Sequence, residues 1–211
     1  MRAMGRPRVA VITWGNPMDR MFRVMMFAVG CAALSGCETM RDTADSVGSA
    51  VSSGWDYVWG SSGTVAVAQV KPTQGSTASG KVEFRQSGDV THVKVDLVGL
   101  APNSEHGFHV HERGDCSAPD GMSAGGHFNP EGVSHGTYSR APHHAGDMPN
   151  LKADDKGEVH TTFDVTYLTV GSGGSDVAGR SVVLHRDPDD YKSQPAGNSG
   201  PRLACGVIVE S

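Results

Sequence analysis

From Gly63 onward, apolar and polar positions alternate in short runs broken by glycine, proline and aspartate. The clearest run is VTHVKVDLVGL (90–100), with Val93, Val95 and Leu97 on one face and His92, Lys94 and Asp96 on the other. Successive side chains of a strand point to opposite faces, so period two predicts a half-buried antiparallel strand. TVAVAQV (64–70), KVEFRQ (81–86) and EVHTTFDV (158–165) read as strands too, the last with Val159, Phe163 and Val165 on one face. VVLH (182–185) and LACGVIV (203–209) are more continuously apolar, which predicts deeper burial. Short strands at this spacing predict an all-β sandwich or barrel. Two stretches, 112–150 and 186–202, carry no strand pattern and are dense in His, Asp, Gly and Pro. Loops that long in a compact domain are functional or disordered far more often than incidental.

Composition agrees with a turn-rich chain: 28 of 211 residues are glycine, aromatics make up 6% and charged residues 19%. A net charge of −5 without a Lys/Arg block argues against a nucleic-acid partner. The first 36 residues differ from the rest. Arg20 and Arg23 precede an apolar run from Val24 to Leu34. As a helix it would rise about 16 Å, roughly half of a ~30 Å hydrocarbon core, which predicts a secretory signal rather than an anchor. A start at Met18 or Met21 would give that signal its ordinary length. Leu34-Ser35-Gly36-Cys37 resembles the bacterial lipobox, implying cleavage before Cys37 and a lipid on it. Residues 37–62 then form a linker rich in Ser, Gly and Asp. Val47, Val51, Trp55 and Trp59 recur every four residues there, leaving an interfacial helix as the alternative to a flexible spacer.

The chemistry lies in histidine. His109 and His111 flank Val110, so on a strand both imidazoles leave the same face. His127, His135, the pair His143-His144 and Asp147 follow, and His185 ends VVLH. Imidazole suits zinc and copper, and zinc also accepts a carboxylate.

The segments GFHVHERGDC, AGGHFNP, HHAGDMPNL, GRSVVLH and GNSGPRLACGVI resemble the copper/zinc superoxide dismutase family, in that family's order, across residues 63–211. The resemblance implies an immunoglobulin-like sandwich, a flattened Greek-key β-barrel of eight antiparallel strands with long metal-binding and electrostatic loops. It implies one copper per subunit on His109, His111, His127 and His185. One zinc per subunit would sit on His127, His135, His144 and Asp147, with His127 shared. Counting back from Gly146-Asp147 favours His144 over His143 as the ligand. His106 matches a family position that binds no metal, and His92 and His160 lie on outward strand faces. Asp189 matches the family's buried aspartate, which bonds His109 and His135. His127 would also carry the proton given to peroxide, and Arg202 would guide the superoxide anion.

Cys116 and Cys205 match the family's disulfide, which suits the periplasm. The longer loop from Cys116 to His127 and the shorter, lysine-poor loop before Arg202 look like the bacterial branch and leave monomer and homodimer both open. Taking residues 1–36 away removes five of 18 basic residues and one of 23 acidic ones, so the remaining formal charge is −9. Any attraction for superoxide must then be local. The expectation is a periplasmic, lipid-anchored dismutase, with the outer membrane as the expected site of the anchor. The alternative is a non-catalytic copper- and zinc-binding envelope lipoprotein.

Overall fold

A computed structural model describes residues 63–211. The expected signal (1–36), Cys37 with its lipid, and the linker to residue 62 lie outside the described residues. Nine strands follow in chain order: β1 (Val65–Pro72), β2 (Ser79–Ser87), β3 (Val90–Val98), β4 (Glu105–His106), β5 (Phe108–His111), β6 (Leu151–Lys152), β7 (Val159–Val165), β8 (Ser181–His185) and β9 (Arg202–Glu210). No α-helix occurs among the described residues, only a 3-10 turn at Met122–Ala124.

Seven strands form one sheet in the order β5-β8-β9-β1-β2-β3-β7, and β4 pairs with β6 in a second. Every pairing is antiparallel. The non-consecutive neighbours β3–β7, β5–β8 and β9–β1 are crossovers of the kind a Greek key requires. The ninth strand comes from Gly107, which divides one run into β4 and β5. There the chain turns aside: Gly107 N–H donates to the Asp187 carbonyl at 2.9 Å and its own carbonyl accepts His185 N–H at 2.8 Å.

β1, β2 and β3 bury the residues their pattern selects, while in β7 Val159 and Val165 are buried and Phe163 only partly. Ala66, Ala68, Val82, Phe84, Val93, Val95 and Leu97 are all 0% exposed and share one core cluster. Small faces large across the ladder, with Ala66 opposite Phe84 and Phe84 opposite Val93. Phe108, Val110, Val182, Leu184 and Ile208 from the other half of the sheet join that cluster, so the sheet closes over a shared interior. Its contacts are worth roughly 25 cal/mol per Å² of apolar surface removed from water.

β5 and β8 are buried on both faces. Phe108 and Val110 point into the core, so His109 and His111 must point the other way. That outer face is roofed by the two long loops. Cys116 joins Cys205 in a disulfide across 89 residues, with a Cα separation of 5.7 Å. The pair packs with Ala124 and Val183 in a small second cluster, which fastens the first long loop to β8 and β9.

Candidate metal centre

Under that roof two groups of four donors meet. His109, His111, His127 and His185 form one; His127, His135, His144 and Asp147 form the other. Within each, the donor atoms lie within 4.8 Å of one another, and all seven residues are buried. β5 supplies His109 and His111. A break in register between Leu184 and His185 re-aims His185 opposite Arg202. The first long loop supplies the rest.

Each imidazole of the first group spends one nitrogen on the protein and points the other inward, His127 excepted. His109 Nε2–H donates to Asp189 Oδ2 at 2.9 Å, which leaves Nδ1 buried without a partner. His111 Nδ1–H donates to the Gly125 carbonyl at 2.9 Å and His185 Nδ1–H to the Gly200 carbonyl at 3.2 Å. A carbonyl only accepts, so both protons sit on Nδ1. The two Nε2 lone pairs then face each other at 3.3 Å, an arrangement that calls for a cation. Burial, reinforced by the neighbouring His109, pushes the His185 pKa down to about 3, so a second proton does not supply it. Burial likewise lowers His109 and His111. Neutral imidazole is the ligand form.

In the second group, Asp147 Oδ1 faces three Nδ1 atoms, at 2.8 Å from His127, 3.0 Å from His135 and 3.5 Å from His144. Asp147 Oδ2 is turned away and accepts the backbone N–H of His144 at 2.8 Å and of Gly136 at 3.2 Å. Burial opposes a charge on Asp147, but the surrounding histidines outweigh it and hold the carboxyl far below its ordinary range. Burial also disfavours the His135 cation, yet Asp147 and Asp189 raise its pKa to about 9. Three buried nitrogens in the centre lack a hydrogen-bond partner: His109 Nδ1, His127 Nε2 and His144 Nδ1. Such orphans are rare in native interiors. With the oxygen and nitrogen donors around them they fit bound cations, four nitrogens for copper and three nitrogens with one oxygen for zinc.

His127 belongs to both groups, with Nδ1 toward Asp147 and Nε2 among the first set. Burial lowers its pKa to about 4. Asp189 ties the groups from behind: Oδ2 accepts from His109, while Oδ1 accepts His135 Nε2–H at 3.0 Å and Tyr191 N–H at 2.6 Å. Asn150 brackets that aspartate, accepting Asp189 N–H at 2.9 Å and donating to its carbonyl at 3.0 Å. Nothing in the sequence pattern singled Asn150 out. Gly197, at φ 62°, has no room for a side chain because an added Cβ would strike Asp189 and His135.

A cavity of about 950 Å³ opens onto His111, His127 and His185 beside Arg202. Arg202 is fixed over it by donating to the Gly121 carbonyl at 2.6 Å and the Gly125 carbonyl at 2.5 Å. Gly125 thus positions both a candidate ligand, His111, and the candidate guiding cation. Arg180, also without a sequence signal, lies 3.7 Å from the Phe128 ring centroid and donates to the Glu112 carbonyl at 2.8 Å. It braces the segment that carries His127.

The other histidines stay outside both groups. His106 Nδ1–H donates to the His185 carbonyl at 2.8 Å. His143 bonds the His144 carbonyl at 2.7 Å. His92 lies 2.6 Å from Asp164, and His160 lies between Asp96 and Glu158.

Comparison with known proteins agrees with this geometry. The family described as copper/zinc superoxide dismutase (SODC) matches residues 78–208. Superoxide dismutase [Cu-Zn] 2 of Aquifex aeolicus is 46% identical over 133 residues, 61% of this chain and 78% of that one. Superoxide dismutase [Cu-Zn] of Saccharomyces cerevisiae is 42% identical over 152 residues, covering 68% and 96%. Among solved structures, the clock protein EA4 aligns with a TM-score of 0.63 at 37% identity, over 70% of this chain and 94% of that one. A double mutant of a SOD-like protein from Bacillus subtilis aligns at 0.62 and 34%, over 68% and 96%. The fold, the paired donor groups and the extent of the match agree, and the chain belongs to the copper/zinc superoxide dismutase family.

Proposed function

We propose that this chain is a superoxide dismutase, lipid-anchored through Cys37 in the periplasm, which protects the cell envelope from superoxide arising outside the cytoplasm. Two superoxide anions and two protons become one dioxygen and one hydrogen peroxide. His109, His111, His127 and His185 hold copper, and His127, His135, His144 and Asp147 hold zinc. When bound, copper supplies the one-electron cycling, while zinc, which has no redox chemistry, supplies fixed charge.

The observation that carries the reading is His127, whose two nitrogens face two different donor groups. The remaining work falls to this chain's own side chains. Arg202 presents a fixed guanidinium to a small anion entering the cavity, held in place by the carbonyls of Gly121 and Gly125. His127 Nε2, buried and without a protein partner, is the atom that takes up a proton and releases it to the product. Asp189 keeps His109 and His135 in the tautomers that point their other nitrogens inward.

The anchoring is tested by expressing the full chain in a bacterium and assaying dismutase in separated membrane and periplasmic fractions. Activity should sit in the membrane fraction and move to the soluble periplasm when residues 1–37 are replaced by an ordinary cleavable secretory signal that leaves no lipidated cysteine. Activity confined to the cytoplasm, or still in the membrane fraction after that replacement, would contradict the anchored reading.

A further inference from the structure

The turn that carries His144 and Asp147 is gripped from outside by two rings that belong to neither donor group. His143 Nδ1–H donates to the His144 carbonyl at 2.7 Å. Tyr167, two residues beyond β7, donates its hydroxyl to the Asp147 carbonyl at 2.9 Å. The rings meet edge to face, with centroids 4.6 Å apart and planes at 73°. The His144 carbonyl also accepts Asp147 N–H at 3.1 Å, closing the turn on itself. The two rings therefore hold its first and last residues and brace each other.

The shape of this turn decides where the donors sit. Asp147 Oδ2 is pinned by the backbone N–H of His144, inside the same turn, and of Gly136. That leaves Oδ1 facing His127, His135 and His144. His144 is the loosest of the three, at 3.5 Å, and its Nδ1 makes no hydrogen bond. A small rotation of either peptide would swing Oδ1 or that imidazole out of the group.

We infer that His143 and Tyr167 form a positioning clamp, which sets Asp147 and His144 in zinc-binding geometry from outside the ligand set. The inference rests on the assignment of that group to zinc. It also gives the His143-His144 pair two separate tasks, one inside the centre and one behind it.

The test uses Tyr167→Phe, which removes only the hydroxyl, and His143→Phe, which keeps a ring against Tyr167 but removes the donor. Zinc affinity of the metal-free protein is measured by chelator competition, and cobalt(II) is bound in place of zinc as a coloured probe of donor geometry. Loss of a partner behind a metal ligand weakens binding by about 10- to 100-fold. Each variant should lose zinc affinity by about tenfold or more and shift the cobalt bands. Copper affinity should hold, and the double variant should lose less than the product of the single losses, because the rings act as one unit. Zinc affinity within twofold of the unaltered protein, or an unshifted cobalt spectrum, would overturn the clamp. So would an equal loss of zinc and copper, which marks general loosening. If Tyr167→Phe fails to fold, His143→Phe carries the test. An unaltered protein that binds neither zinc nor cobalt would overturn the zinc assignment itself.

Discussion

The disulfide between Cys116 and Cys205 couples the stability of this fold to the shape of its site. It closes 89 residues, and in the chain-entropy model a loop of that size is worth about 4–5 kcal/mol against the unfolded chain. The perturbation is the double substitution Cys116→Ala and Cys205→Ala, which leaves neither partner of the bridge as a free thiol. For a domain of this size 1 kcal/mol moves Tm by about 2–4 °C, so calorimetry of the metal-free protein should show a fall of about 10–20 °C. Metal must be absent, because ligands that bind only the folded state would mask the change. The same bridge ties down the segment whose Gly121 and Gly125 carbonyls hold Arg202 and His111. Reloaded with both metals, the variant should therefore lose dismutase activity several-fold with its metal content unchanged. A Tm fall below about 5 °C would refute the entropy argument. Full activity would show that the Gly121–Gly125 segment keeps its place without the bridge.

Further substitutions separate the roles of the surrounding groups. Arg202→Ala should lower dismutase activity well over tenfold and leave copper and zinc content intact; loss of copper, or no loss of activity, would contradict anion guidance. Asp189→Asn must turn an amide donor toward His109 or toward His135, each of which already donates. Metal affinity by chelator competition should then fall about 10- to 100-fold, and unchanged affinity would argue against a bridging role. Glu83 has burial against its charge, but Lys81 at 3.2 Å and Arg85 at 3.0 Å outweigh it and lower its pKa below the ordinary 4.5. Its stabilisation is therefore present above pH 4.5 and lost as pH falls through the folded value. Glu83→Gln should cost about 0.5–1 kcal/mol at pH 7 in urea unfolding and converge with the unaltered protein in acid.

The parts of this molecule legible in its sequence are those governed by local period or local spacing. The alternation of β3 foretold the burial of Val93, Val95 and Leu97 because one face of that strand meets the core and the other meets solvent. His109 and His111 announced a shared face through their separation of two, while the preference for His144 over His143 came from the resemblance to the family's pattern and not from spacing alone. What stayed hidden is set by contacts between distant segments. β4 and β6 are two residues each and exist through one pairing, too short for any pattern to register. Asn150 and Arg180 look like ordinary loop residues until the loops fold back onto Asp189 and Phe128. Tyr167 reads as one more aromatic at a strand end, and only the return of residues 143–147 brings it under the Asp147 carbonyl. The roof over β5 and β8 has no period of its own, because it is shaped by backbone carbonyls and imidazoles.

The most direct test of the account is superoxide decay, followed by stopped flow on the metal-free protein first given one zinc and then titrated with copper. Activity should rise in proportion to copper, level off at one copper per chain, and stay below one-tenth of that level in His127→Ala carrying the same metals. A fully loaded protein without dismutase activity, or full activity in His127→Ala, would contradict the claim that His127 joins two metals into one catalytic centre.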